Sequence, residues 1–143
     1  MDSAALDAST RGTDRCFVCE PAGGLKVSFT HDAHDKSVTA ELTLTADQGG
    51  HQDGRVHPGA VLAVLEDAMA WALVAMGNTP GVPKRTTTEF LRPVKVGETY
   101  KVVGRLISRH DDGLDAAATL VREDGQPCVE ARARYLPLTD SED

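Results

Sequence analysis

Two adjacent carboxylates, Glu66 and Asp67, lie in the middle of an otherwise apolar stretch, and they have the clearest potential for chemistry. Residues 60–76 contain 15 apolar residues out of 17, with no glycine or proline. A buried carboxylate without a partner costs several kcal/mol, or its pKa shifts until the group is neutral. Either these side chains reach water or an arginine, or one of them is a functional acid or base, since perturbed acids concentrate at active sites.

The loop before this stretch, residues 49–59, is rich in glycine and ends in Pro58-Gly59. Pro58 suits the first position of a helix, where its missing N–H leaves no hydrogen bond unmade. Free N–H groups at a helix start attract anions and polarised carbonyl groups, and glycine lets a ligand approach the backbone. The alternative interpretation is that His57 only caps the helix and the glycines only form turns.

Glu66 follows Gly59 by seven residues, close to two helical turns, so both face the same side of a helix. They are separated by about 10 Å along the axis, at ~1.5 Å per residue. One carbonyl group cannot touch both within a single chain, but two antiparallel copies bring the helix start of one to the helix middle of the other. A helix that is apolar on nearly every face also needs more cover than one sheet offers. The spacing therefore predicts a homo-oligomer with a site between subunits.

The elements that must position these residues are one long helix and a sheet. Residues 60–76 have a helix-forming composition, and Gly77-Asn78 is a typical stop signal. Apolar residues alternate in most of the remaining segments, and Asp-Gly turns predict hairpins between the last three. The predicted strands are residues 25–29, 36–45, 85–91, 99–108, 114–121 and 129–136. An antiparallel sheet of five to six strands wrapped around one helix is an α+β fold.

The chain has 143 residues, with 15 Lys and Arg against 22 Asp and Glu, and a formal net charge of −7. This length suits one domain, which we place at residues 16–138, between a flexible leader at 1–15 and an acidic tail at 139–143. The acidic balance argues against nucleic acid or an anionic membrane as a partner. The carboxylates in the apolar stretch argue against a membrane span. Three cysteines and no signal peptide predict a cytoplasmic protein.

Several motifs, taken together, resemble those of the hotdog-fold acyl-CoA thioesterases, above all the phenylacetate-pathway type. The resemblance covers residues 16–138. It implies an antiparallel sheet wrapped around one helix, with active sites across a dimer interface. The motifs are Cys16-Phe17-Val18-Cys19, Gly24-Leu25, His57-Pro58-Gly59-Ala60, Leu65-Glu66-Asp67-Ala68-Met69, Phe90-Leu91-Arg92-Pro93-Val94 and Val96-Gly97-Glu98.

The resemblance implies hydrolysis of an acyl-CoA thioester or of one held by an acyl carrier protein, with no metal and no redox cofactor. In the family, an Asp or Glu nine positions after the histidine activates water or attacks the thioester carbonyl, and the matching residue is Glu66. The N–H that polarises the carbonyl belongs to the residue directly after the histidine. Here that residue is Pro58, which has no N–H, so Gly59 is the predicted donor.

Seven further polar residues are predicted to contact the substrate. The glutamines are candidates for positioning water or substrate, the threonines for lining the pocket, and the arginines for meeting the phosphates of coenzyme A. In the alternative interpretation, each is an ordinary loop, strand or solvated surface residue. The residues are His57, Gln48, Gln52, Thr87, Thr88, Arg85 and Arg92.

The sequence leaves some alternatives open. Cys16 and Cys19, with His31 and His34 downstream, loosely match a zinc-finger spacing, but the thioesterase-like Cys-Phe-x-Cys string explains the pair without metal. A non-catalytic acyl-CoA-binding or regulatory module on the same fold is a second hypothesis, which Pro58 favours. A hydratase needs a His beside an Asp or Asn in a different loop motif, which the sequence lacks. The acyl group, the choice of coenzyme A or carrier protein, and dimer or tetramer also stay open.

Overall fold

The computed structural model describes residues 3–5, 18, 25, 27–48, 50 and 53–138. These residues form seven strands, one long helix and a short 3-10 turn at Ala46–Gln48. The helix α1 spans Pro58–Gly77. The strands are β1 (Ser3–Ala5), β2 (Thr30–Asp32), β3 (Ser37–Thr43), β4 (Gly81–Phe90), β5 (Thr99–His110), β6 (Gly113–Arg122) and β7 (Pro127–Pro137).

The seven strands form one antiparallel sheet in the order β1-β2-β3-β5-β6-β7-β4. Strands β5, β6 and β7 are consecutive hairpins, as the Asp-Gly turns predict. Strand β4 lies at one edge, where it pairs with β7. Alternate residues of a strand share a face, so Val102 of β5 lies opposite Leu120 of β6 and both are buried. This inner, apolar face packs against α1 and forms the core.

The helix α1 begins at Pro58 and ends at Gly77, and Asn78 caps it in the left-handed conformation, with φ of 51°. The helix is long and apolar enough to span a membrane, but 61% of its most apolar segment is buried inside the protein. It lies closest to the sheet at Gly104 of β5, where a Cβ atom would come within 2.6 Å of the backbone oxygen of Ala68. Glycine is required for this approach, which sets the depth of the helix against the sheet.

The predicted architecture, an antiparallel sheet wrapped around one apolar helix, is confirmed, and two segments differ in detail. The described apolar residues of 25–29 are buried but form no strand, and the ladder begins at Thr30. An apolar run marks core residues whether or not their backbone pairs. Ser3–Ala5 pairs with β2 and adds a seventh strand inside the segment predicted to be a flexible leader. Residues 139–143 lie outside the described residues.

Candidate active site

Glu66 lies in the middle of α1, where its half-buried side chain forms part of a cavity wall. The cavity has a volume of about 140 Å³ and lies between the helix and the edge of the sheet. A carboxylate in the wall of a small cavity is placed to take a proton from a bound water or to attack a bound carbonyl group. The other lining residues are mostly apolar: Leu62, Leu65, Met69, Thr86, Thr88 and Ala131.

Tyr135 of β7 reaches across the core to the same carboxylate. Its side chain is 0% exposed, and its hydroxyl oxygen lies 3.2 Å from both the Oε1 atom and the backbone oxygen of Glu66. The single hydroxyl proton lies between these two oxygens, and its donation to Oε1 orients the carboxylate. This role has no local signal in the sequence. Alternation places Tyr135 on the inner face of the last strand, but no spacing connects it with a helix residue 69 positions away.

Asp67, the second carboxylate of the pair, has a different environment. Only 3% of the residue is exposed, and it does not line the cavity. Successive residues of a helix differ by ~100° in direction, which turns Asp67 towards the core when Glu66 faces the cavity. Of the two carboxylates, Glu66 is therefore the one that lies at the cavity.

The start of α1 differs from the expectation of an open Gly59 N–H. His57 is the N-cap residue, and its Nδ1 atom accepts a hydrogen bond from the N–H of Gly59 at 2.8 Å. The N–H of Ala60 donates to the backbone oxygen of His57, and Pro58 has no N–H to offer. An N-cap side chain satisfies an N–H group of the first turn in this way. In this conformation His57 is a cap, as the alternative interpretation had it, and the predicted donor is engaged within the chain.

A groove of about 430 Å³ lies beside this helix start, between Pro58 and the segment that follows β4. Arg92, one of the predicted substrate-binding residues, lines the groove, and its guanidinium donates a hydrogen bond to the backbone oxygen of Pro127. Arg55 also lines it, with its NH2 atom 2.7 Å from the Oδ2 atom of Asp53. The groove is thus lined by apolar residues together with the positively charged Arg55 and Arg92.

The predicted residues of β4 divide between the two faces of the sheet. Thr88 lines the cavity of Glu66, together with Thr86. Thr87 and Arg85 instead line depressions on the opposite face, so within one chain they do not share the cavity of Glu66. The reason is that adjacent residues of a strand point to opposite faces.

Gln48, predicted to position water or substrate, has a structural role instead. Its Oε1 atom accepts hydrogen bonds from the N–H and the hydroxyl of Thr45, and its Nε2 atom donates to the backbone oxygen of Leu25. Both ends of the amide are therefore engaged in joining the chain after β3 to the chain before β2. Gln52 lies outside the described residues.

The cysteines give no support for chemistry in the described part of the chain. Cys128 is a buried free thiol, and burial raises its pKa, which makes it a poor nucleophile. Cys16 and Cys19 lie outside the described residues. Among the residues that the structure describes, no three His, Cys, Asp or Glu side chains come together in a way that would hold a metal ion.

The sequence model of the thioesterase superfamily matches residues 53–129, just over half of the chain. The matched segment includes the helix start, Glu66 and the edge strand β4. The chain belongs to the thioesterase superfamily. The resemblance seen in its motifs is thereby confirmed, and the cavity and groove described above lie within or beside the part that the superfamily shares.

Solved structures related to this superfamily member have the same fold. A protein described as a thioesterase superfamily protein is 26% identical, with a TM-score of 0.75, over 82% of this chain and 56% of its own, so this chain spans little more than half of that relative. The E. coli PaaI protein from the phenylacetic acid degradation operon is 19% identical, with a TM-score of 0.64, over 70% and 75%. A Streptococcus mutans protein bound to acetyl-CoA is 14% identical, with a TM-score of 0.67, over 72% and 82%. A comparison with curated proteins finds no match.

Proposed function

We propose that this chain hydrolyses an acyl thioester and that Glu66 is the carboxylate that acts on the substrate. The position of Glu66 in the wall of a cavity, beside the edge strand β4, is the observation that supports this most directly. Membership of the thioesterase superfamily supports this chemistry at the level of the family.

Two routes are available to Glu66. As a general base, it takes a proton from water, whose oxygen attacks the thioester carbonyl carbon; the C–S bond then breaks and the thiolate leaves with that proton. As a nucleophile, it forms an anhydride with the acyl group and releases the thiol, and water then hydrolyses the anhydride. On both routes the hydroxyl of Tyr135 orients the carboxylate.

We assign stabilisation of the carbonyl oxygen to the N–H of Gly59, after the exposed side chain of His57 turns away from it. Breaking this capping bond costs about 0.5–1.5 kcal/mol, the net value of one hydrogen bond. A donor to a developing oxyanion contributes about 2.7–4 kcal/mol to the transition state. Exchanging the capping hydrogen bond for one to the carbonyl oxygen therefore lowers the free energy of the transition state. Pro58 cannot replace Gly59 in this role because it has no N–H.

The proposed site is shared between two copies of the chain. Gly59 and Glu66 are about 10 Å apart along α1, so one thioester cannot contact both in a single copy. The cavity of Glu66 reaches Thr86 and Thr88 of β4, the edge strand. The open edge of a strand presents unpaired N–H and C=O groups that suit pairing with a second chain. We therefore propose a homodimer in which a partner at β4 completes the site.

The proposed substrate is a thioester of coenzyme A or of an acyl carrier protein, since both present the acyl group on a phosphopantetheine arm. The groove beside Pro58 offers a path for this arm, and Arg92 supplies a positive charge for its phosphate. A protein of the same fold from Streptococcus mutans is bound to acetyl-CoA, which supports coenzyme A as the carrier. The proposed reaction needs water and no cofactor.

Thiol release from acetyl-, octanoyl- and phenylacetyl-CoA, measured beside equilibrium binding of coenzyme A, tests the proposal. We expect turnover of at least one of the three. The same acyl groups on an acyl carrier protein show which carrier is preferred. Binding of coenzyme A without thiol release from any thioester would contradict hydrolysis.

A non-catalytic acyl-CoA-binding module is the second candidate, and Pro58 favours it because proline removes the usual donor. Pro58→Gly separates the two functions. If Gly59 is the donor, the turnover of the variant stays within about tenfold of the wild type, a barrier change of roughly 1.4 kcal/mol. The free energy of unfolding of the variant falls by about 0.4–1 kcal/mol. In a binder whose oxyanion contact proline removed, the variant gains about a hundredfold or more in hydrolysis. The measurement is the rate constant per bound acyl-CoA, with the melting temperature as a fold control.

A further inference from the structure

The cavity beside Glu66 has one open end and one closed end. Its wall on α1 consists of Leu62, Leu65, Glu66 and Met69. Their spacing of three and four residues places them in one stripe along the helix. Leu62 is 38% exposed, whereas Met69 is 1% exposed. The cavity therefore opens towards the start of the helix and ends at Met69.

The helix and β4 converge beyond Met69. One turn further along α1, Leu73 is fully buried, and a Cβ atom at Gly81 of β4 would lie 3.4 Å from its Cδ1 atom. At the opposite ends of these two elements, Pro58 and Phe90 both line the groove of about 430 Å³. The space between α1 and β4 thus tapers from the groove towards the end of the helix, and the cavity is its narrow part.

The closed end of the cavity is apolar. Leu65, Met69 and Ala131 line it, and each is at most 3% exposed. A hydrocarbon chain that leaves water for such a wall gains about fourfold in affinity per methylene, from the transfer free energy of a buried CH₂ group. A charged end group would instead lose its hydration without an opposite charge to replace it. The wall therefore suits the hydrocarbon tail of an acyl group.

The size of the cavity limits the length of that tail. Met69 follows Glu66 by three residues, which is about 4.5 Å along the helix axis at ~1.5 Å per residue. A cavity of ~150 Å³ holds one benzene molecule, about six carbon atoms, and the cavity of Glu66 has a volume of about 140 Å³. A tail whose carbonyl group lies at Glu66 therefore fills the cavity with about six further carbon atoms.

We propose that Met69 forms the end wall of the acyl pocket and limits the substrate to acyl groups with up to about six carbon atoms beyond the carbonyl carbon. This inference rests on the proposed function, since it places the substrate carbonyl at Glu66. Met69 sets specificity by excluding longer tails and takes no part in the chemical step. A longer tail has to displace a side chain that is packed between the helix and the sheet, and a close-packed interior resists this.

The ratio of kcat/KM for octanoyl-CoA to that for hexanoyl-CoA, measured by thiol release, tests the end wall. In the wild type we expect octanoyl-CoA to be at least about tenfold poorer, the loss typical of a methylene that a pocket does not accommodate. Met69→Ala removes the Cγ, Sδ and Cε atoms and so lengthens the pocket. Its ratio should rise by about tenfold or more, so that octanoyl-CoA becomes at least as good a substrate as hexanoyl-CoA.

Three further variants accompany Met69→Ala. Met76→Ala makes the same truncation at a half-buried position in the last turn of α1, outside the cavity, and should keep the wild-type ratio. Met69→Leu conserves the volume of the side chain and should also keep it. Met69→Val removes less of the side chain and should raise the ratio by a smaller factor, which preserves the test if Met69→Ala does not fold. Circular dichroism and melting temperature confirm the fold of each variant.

Binding of the S-hexyl and S-octyl thioethers of coenzyme A, measured by calorimetry, repeats the test without turnover, because thioethers are not hydrolysed. The octyl-to-hexyl ratio of affinities should rise in Met69→Ala and stay unchanged in Met76→Ala. If this ratio shifts while no thioester releases thiol, the pocket is supported and hydrolysis is contradicted.

Three results would overturn the role of Met69. The first is a folded Met69→Ala whose ratios equal those of the wild type in both measurements. The second is a shift of equal size in Met76→Ala, and the third is a wild type that accepts decanoyl-CoA as well as hexanoyl-CoA.

Discussion

Glu66 and Asp115 are carboxylates on opposite sides of one sheet, and their surroundings differ in kind. Glu66 lies at a cavity, and the donor that reaches its carboxylate from β7 is the neutral hydroxyl of Tyr135. Asp115 of β6 accepts hydrogen bonds from the guanidinium of Arg134 and from the ring of His110. The Arg134 hydrogen bond is the main reason that the pKa of Asp115 lies well below its usual range, although burial acts in the opposite direction.

The difference shows how the environment assigns a role to a carboxylate. Ion pairs keep Asp115 charged and occupy its oxygens, so this residue ties β5, β6 and β7 together. At Glu66, a neutral donor sets the orientation and a cavity provides space for a water or a carbonyl group. A shifted pKa alone does not mark the functional residue, since the pKa of the structural carboxylate Asp115 is itself strongly lowered.

Removing each carboxylate tests this contrast most directly. We expect Glu66→Gln to lower turnover of the best acyl-CoA substrate by about 10²–10⁴-fold, the range for loss of a general base. Binding of coenzyme A and the melting temperature should change little, because glutamine keeps the size of the side chain. The measurement is kcat from thiol release, beside the affinity for coenzyme A.

Asp115→Asn is the matched control, because it removes one carboxylate charge from the opposite side of the same sheet. Its turnover should stay within about twofold of the wild type, since the barrier change is then below ~0.5 kcal/mol. Equal losses of turnover in both variants would show that Glu66 acts through the fold rather than on the substrate.

Most of the fold follows from the sequence because its signals are local. The apolar run of α1, the stop at Gly77-Asn78 and the alternation in β5, β6 and β7 each depend on neighbouring residues. The pairing of Ser3–Ala5 with β2 cannot be predicted in this way, since it joins segments that are far apart in the chain. Three residues are also too few to show a strand periodicity. The apolar residues of 25–29 show the opposite case, in which burial follows from the sequence but strand pairing does not.

The site is less accessible to sequence reasoning because it depends on contacts across the fold. The helical spacing predicts Glu66, which lies in the wall of a cavity, but the bond between Tyr135 and Glu66 joins residues 69 positions apart. The bond between His57 and Gly59 is local, yet its occurrence depends on the rotamer of one exposed side chain. The separation of Thr87 and Arg85 from Thr88 is also local, because alternation along β4 places them on opposite faces of the sheet.

The hydroxyl of Tyr135 is the second test of the contrast, with a smaller expected effect. Tyr135→Phe removes the donor to the Glu66 carboxylate and keeps the packing of the ring. A net hydrogen bond is worth about 0.5–1.5 kcal/mol, so kcat should fall by up to about tenfold while KM changes little. The measurement is kcat and KM from thiol release.

Tyr100→Phe is the control for this change. Tyr100 is also buried, at 3% exposure, and its hydroxyl accepts a hydrogen bond from the N–H of Lys95. Loss of that hydroxyl should lower the melting temperature but keep kcat within about twofold of the wild type, a barrier change below ~0.5 kcal/mol. An equal fall of kcat in both variants would assign the effect of Tyr135 to general destabilisation.

The ion pairs of Asp115 give the smallest effect, and it appears in stability rather than turnover. A carboxyl group whose pKa is lowered by folding stabilises the protein above its unfolded pKa, about 3.9, and this contribution is lost as the pH falls through the lower folded value. The Asp115 side chain is 32% exposed, so water screens its ion pairs and we expect Asp115→Asn to cost about 1 kcal/mol at neutral pH, a few degrees in melting temperature. The difference from the wild type should shrink below about pH 4, because the unfolded chain then binds a proton at this aspartate that the folded protein does not. Asp111→Asn, in the turn after β5 and with no ion pair among the described residues, should leave the melting temperature unchanged across this range. If the difference in melting temperature between Asp115→Asn and the wild type grew towards acidic pH, Asp115 would not stabilise the fold through its charge.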